Sequence, residues 1–141
     1  MTPLIAIIYT AFISLGLPDA VIGAAWPAMA LSLETDKAGA GLLSIVTFIG
    51  TISASFLSGM LLKRFGTFAV VTISTLLTAI TLTGYALSPD FLWLIVFSIP
   101  LGLGGGAIDA ALNSYAALNL SSAHINFLHG CWGVGALIVG F

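Results

Sequence analysis

Asp109 lies deep in the apolar, glycine-rich segment LIVFSIPLGLGGGAIDAALNSY, in a chain with only three Lys or Arg and five Asp or Glu residues. A carboxylate at bilayer depth must pair, hydrate or become neutral. Asp19 is comparably deep in the first apolar segment, directly after Pro18. No Lys or Arg is expected at either depth, which disfavours permanent ion pairing and makes protonation the cheaper solution. These positions suggest proton coupling to transport across a membrane. The alternative for both is a structural hydrogen-bonding role, and for Asp19 also a local helix break or cap.

Asn113 follows Asp109 by one helical turn and shares its face, while Asn126 and His129 are spaced i,i+3 on the last segment. Such faces can present amides, an imidazole and a carboxylate to a polyhydroxylated solute. Polar contact between helices would use the same residues. Trp26, Tyr115 and Trp132 are candidates for stacking on sugar faces, a role that competes with interfacial belts and helix packing. Trp93, close to the end of its segment, fits the belt.

The elements that must hold these residues are membrane helices. Hydrophobic residues make up 60% of the chain and charged residues 6%, against roughly a quarter charged in soluble domains. The apolar stretches reach the roughly 20 residues that a helix needs to span a bilayer, and the alternating pattern of membrane strands is absent. A formal charge of -2 and the lack of any Lys/Arg run argue against nucleic-acid partners. The single cysteine, Cys131, excludes an internal disulfide and a thiolate metal site, so no metal or cofactor is expected. The first segment lacks a basic n-region and a clear cleavage site, and reads as a retained helix.

Turn and charge signals predict helices over 4–31, 38–61, 67–87, 91–118 and 124–141, the first four complete spans and the fifth cut short. Pro18 and Pro27, with Gly16 and Gly23, should bend or open the first helix. Asp36 is expected to cap the second helix, and Ser88, Pro89 and Asp90 to make a turn and cap before the fourth. Gly102 with Gly106, and Ser55 with Gly59, are small-residue pairs suited to close helix approach. Lys63 and Arg64 place their connector in the cytoplasm, against Lys37 alone on the other side, so the N-terminus is expected inside. The Asn119-Leu120-Ser121 sequon would then be cytoplasmic and unmodified.

GLPDAVIGAAWPAM (16–29) matches GLGGGAIDAALNSY (102–115) without gaps at Gly, Leu, Ile and two Ala positions, with Gly23 opposite Asp109. Under the expected topology these stretches run in opposite directions and open successive units, 4–87 and 91–141. That is the pattern of an inverted repeat, whose site tends to lie near the midplane where helices are interrupted.

SGMLLKRFGTF (58–68) resembles the loop signature of the major facilitator superfamily, Gly-x-Leu-Ala-Asp-Arg-x-Gly-Arg-Arg/Lys, through Gly59, Leu61, Arg64 and Gly66. Lys63 stands where the acidic residue belongs and Thr67 where a basic one does, so the family's charge network at this cytoplasmic gate is altered. Helices 4 and 5 are similar to those of the fucose-permease and glucose–mannose:proton symporter branch. Asp109 and Asn113 match its acidic-then-Asn pair, and Asn126, His129, Gly133 and Gly135 fit its helix 5. The resemblance implies an all-α integral membrane fold, residues 1–141 being part of the N-terminal transmembrane half. It also implies proton coupling through Asp109, with Asp19 as the companion carboxylate on the first helix, and uptake of a sugar or related polyol by alternating access at the cell membrane.

About twelve helices are usual in that family, so a longer parent protein is expected, with a C-terminal half beyond this stretch. Alternatives are a transport-inactive small membrane protein packed against another membrane protein, or a carrier of a non-sugar solute; Na⁺ would favour similar ligands to H⁺. An enzyme is disfavoured by the lack of a metal constellation or a nucleophile–base–orienter set.

Overall fold

A computed structural model describes residues 2–36 and 38–140, leaving Lys37 and its contribution to the charge bias, and Phe141, outside the described residues. Helix α1 (Thr2–Ser32) carries Pro18 and Pro27 without interruption. A helical run, Gly39–Ala86, follows, then α4 (Phe91–Asn119) and α5 (Ser122–Gly140). Among the described residues, three stretches are long and apolar enough to cross a membrane: Ile5–Ser32, Gly39–Ala86 and Phe91–Asn119.

The Gly39–Ala86 run is folded at Gly66, whose φ of 78° and ψ of 160° lie outside the helical region, and we divide it there into α2 (39–65) and α3 (67–86). Both arms rest on the same stretch of α4: Gly50 of α2 abuts Gly102, and Ser74 and Thr78 of α3 abut Gly104. In one straight helix Gly50 and Thr78 would be roughly 40 Å apart, so the arms must run antiparallel. The expected loop over 62–66 therefore contracts to a sharp turn at one glycine. Its conformation, not crowding, selects the residue, since a Cβ at Gly66 would meet nothing within 4 Å. Gly66→Ala is expected to destabilise the protein by about 1–3 kcal/mol through backbone strain. Gly59→Ala, equally uncrowded but helical, should be neutral or stabilising. Thermal unfolding of the two detergent-solubilised variants checks the contrast.

Two helix crossings set the frame. Gly16 of α1 lies against the Trp132 carbonyl of α5, and Gly135 of α5 lies against the Ile13 carbonyl of α1. Gly102 of α4 lies against the Thr47 carbonyl of α2, and Gly50 of α2 against the Ile99 carbonyl of α4. In both, the partners on each helix stand three residues apart and the contact is glycine to main chain. Gly106 adds a third close approach, to Thr51. The expected Gly102/Gly106 packing face is thus used, whereas Gly59 meets no neighbour and Ser55 is exposed, so that second pair makes no close crossing among the described residues.

Asp90 caps α4 as expected, accepting from the amides of Leu92 (3.0 Å) and Trp93 (3.3 Å). Asp36 does not cap α2: it accepts from Ala38 at 3.3 Å, and Ala38 is the N-cap residue, without a side-chain cap bond. The carboxylate sits too early in the chain to reach the first-turn amides.

The core falls into three clusters, two towards opposite ends of the bundle and a third in which Ala54, Val70, Ala107 and Ala111 join α2, α3 and α4. Ile22, Trp26, Leu43, Tyr85, Leu94 and Leu101 pack towards the end holding the 33–38 and 87–90 connectors. Ile8, Phe12, Ile108, Leu112, Ala116 and Leu128 pack towards the other, with Leu120 beside them. Tyr9 bridges α1 and α5 there through a 2.5 Å hydrogen bond to His124 and edge contact with Phe127. The outer faces remain apolar, with Phe56 86% and Phe68 85% exposed. In water such faces would aggregate, whereas in hydrocarbon they are solvated.

Candidate functional site

Between the two end clusters lies a cavity of about 530 Å³ to which all five helices contribute. Asp19 enters it from α1, Asp109 from α4, and His129 and Trp132 from α5. The close crossings position them: Trp132, whose carbonyl Gly16 abuts, is carried against α1, and its indole N–H donates to Asp19 Oδ2 at 3.0 Å. Pro18, which also lines the cavity, withholds the amide that the Ser14 carbonyl would take in a regular helix.

Asp109 accepts from the Asn113 side-chain amide at 2.9 Å, the one-turn contact their spacing predicts. His129 is within electrostatic range of Asp109, and Asp109 within range of Asp19. His129 also meets Phe12 edge-on, with ring centroids 6.0 Å apart. The site therefore holds two carboxylates, each with one neutral N–H donor, and a single imidazole. Among the described residues, no Lys or Arg lines it.

The remaining residues expected at a solute site are placed elsewhere. Trp26 is buried in the core cluster near the 33–38 connector, edge-on to Phe91. Tyr115 packs against the opposite cluster. Asn126 is exposed on α5 and does not line the cavity. Gly59, Lys63, Arg64 and Gly66 lie at the α2–α3 turn, all exposed, where the Arg64 guanidinium stands 5.5 Å from the Phe65 ring centre.

Sequence reasoning missed the hydroxyl wall: Ser14, Thr47, Thr51, Thr75 and Thr78 all line the cavity. The i,i+4 pair on α2 and the i,i+3 pair on α3 each place two hydroxyls on one helical face, and that spacing was the available signal.

The sequence matches the major facilitator superfamily profile over residues 8–141. The chain belongs to the major facilitator superfamily. It is therefore a multi-pass membrane protein of a transporter family, with that family's all-α fold. Among curated proteins it is similar to the niacin transporter NiaP of Acinetobacter baylyi, 30% identical over 105 residues covering 72% of this chain and 24% of the relative. It is also similar to the glucose/mannose transporter GlcP of Bacillus subtilis, 21% identical over 131 residues covering 92% of this chain and 33% of the relative. The chain thus spans between a quarter and a third of the length of these relatives. No solved structure matches it significantly.

Proposed function

We propose that the chain is the N-terminal part of a proton-coupled carrier that takes up a sugar or related polyol across the cell membrane by alternating access. The observation that carries this reading is Asp109, an acidic group in a membrane-embedded cavity beside His129 and Asn113, with no Lys or Arg among the described residues that line it. Such a group supports coupling because gaining and losing a proton changes the charge that the cavity must solvate.

The two relatives carry different solutes, and charge favours the glucose/mannose type. Niacin is a carboxylic acid, ionised at neutral pH, and would bring a further negative charge to Asp19 and Asp109 whenever either is ionised. A neutral polyol avoids that repulsion. The greater identity with the niacin transporter keeps a non-sugar solute as the second reading.

The glycine crossings support an inverted-repeat arrangement, with Ile13 and Gly16 of α1 equivalent to Ile99 and Gly102 of α4, and Trp132 and Gly135 of α5 equivalent to Thr47 and Gly50 of α2. On this reading residues 4–87 form one unit, 91–141 belong to the next, and a C-terminal half completes the solute path. The Lys63–Arg64 turn then lies in the cytoplasm together with the N-terminus.

The test is uptake of radiolabelled hexose by proteoliposomes holding the complete carrier, with and without an imposed inward proton gradient. Uptake of glucose or mannose that rises with the gradient is expected. Gradient-driven uptake of niacin without hexose uptake would overturn the sugar reading. In the same assay Trp132→Phe, which keeps a ring and removes the N–H held by Asp19, is expected to lower hexose uptake about tenfold. Hydrogen bonds to charged groups contribute about 1.5–3 kcal/mol, and the lower end applies to a carboxylate open to the cavity.

A further inference from the structure

We infer that the cavity wall contributed by this chain is an array of hydrogen-bond acceptors, and that it selects solutes through the hydrogens they donate. The inference rests on the transport reading of the cavity and specifies which groups of the solute it recognises. Five hydroxyls line the cavity, and each sends its hydrogen to a main-chain carbonyl. Ser14 donates to Ala11 (2.8 Å), Thr47 to Leu43 (2.9 Å), Thr51 to Gly102 (3.2 Å), Thr75 to Val71 (2.8 Å) and Thr78 to Ser74 (3.0 Å).

A hydroxyl has one hydrogen and two acceptor lone pairs. Turning that hydrogen towards a solute would break one bond to make another. Accepting a bond from the solute leaves the existing one in place, so acceptance is the favoured mode.

The other polar groups have the same sense. Asp19 and Asp109 are acceptors when ionised, and the N–H groups beside them, from Trp132 and Asn113, are directed at those carboxylates. His129 is the remaining side-chain donor on this wall. With the carboxylates ionised, a solute hydroxyl or ammonium group meets partners along this wall, whereas a carboxylate or a fluorine away from His129 meets lone pairs.

Equilibrium binding to the purified complete carrier, with two probe series, tests this. The first is glucose and mannose with their singly deoxy and deoxyfluoro analogues, since fluorine replaces hydroxyl in size without a hydrogen to donate. The second is niacin against 3-(aminomethyl)pyridine, similar rings bearing an acceptor-only or a donor group. At contacted positions the fluoro analogue should bind as weakly as the deoxy one, about tenfold below the parent sugar, and the amine should bind more tightly than niacin. Thr47→Val should abolish the parent's advantage over the fluoro analogue at one sugar position, and Thr47→Ser should restore it, a pattern that loss of packing alone would not give.

Fluoro analogues binding like their parents at every position, or niacin binding above the amine, would overturn the inference. If no hexose binds while the amine exceeds niacin, the sugar reading falls and the donor-selective wall stands. Absence of binding in both series overturns both.

Discussion

Asp109→Asn in the complete carrier is expected to reduce gradient-driven uptake by at least about a hundredfold, the scale on which a positioned proton-transfer group acts. Solute exchange at equal pH should remain within a few-fold. The substitution is nearly isosteric, and its carbonyl oxygen can still accept from Asn113, so the 2.9 Å contact survives. What it removes is the change of charge. A group that cannot alternate between two protonation states has no differential interaction with them and cannot link proton movement to solute movement. The neutral amide resembles the protonated acid, which is why exchange should persist while accumulation is lost. Paired counterflow and gradient-driven uptake separate the two, and undiminished accumulation would move the coupling role to Asp19. Asp19→Asn is the informative companion, because the Trp132 N–H would still have an oxygen to meet.

The sequence made Asp109 legible because a charge in an apolar segment is rare, and because its Asn113 partner lies one turn away, within the reach of local reasoning. The Asp19–Trp132 bond was not, since it joins residues 113 positions apart. Trp132, a stacking candidate in the sequence, lines the cavity and also gives its indole N–H to a carboxylate. Trp26 and Tyr115 show the limit of composition: an aromatic residue in a membrane helix serves core, belt or cavity, and only packing assigned these two to opposite core clusters. The threonines were overlooked for the opposite reason. Hydroxyls bonded to their own helix are ordinary in apolar segments, and they gain meaning only when faces of separate helices meet around one space. Helix number was readable from turn signals, but the tightness of the α2–α3 turn was not, because five connector residues in sequence became a reversal at Gly66.

Glycine is where the structure separates residues that the sequence leaves alike, and it yields the largest expected effect on stability. In the run Gly102-Leu103-Gly104-Gly105-Gly106, a Cβ at Gly102 would lie 2.1 Å from the Thr47 carbonyl oxygen, while one at Gly105 would meet nothing within 4 Å. The obstacle at Gly102 is main chain on another helix, so no side-chain rotation relieves it and α2 and α4 must move apart. Gly102→Ala is therefore expected to destabilise the protein by about 3 kcal/mol or more, the upper range for overpacking. Gly105→Ala should be neutral or stabilising by up to about 1 kcal/mol through helix propensity. The α1–α5 crossing repeats the experiment: at Gly16 the Cβ would lie 2.1 Å from the Trp132 carbonyl oxygen, and at Gly23 it would be unobstructed. Thermal unfolding and size-exclusion profiles of the four alanine variants should therefore divide by crossing, with Gly16 and Gly102 impaired and Gly23 and Gly105 sound. Equal tolerance at all four would mean that the helices do not approach so closely in the membrane, and the repeat relation drawn from those crossings would lose its support. A selective loss at Gly16 and Gly102 would instead tie the placement of both carboxylates to matching helix crossings, one delivering Asp19 and the other Asp109.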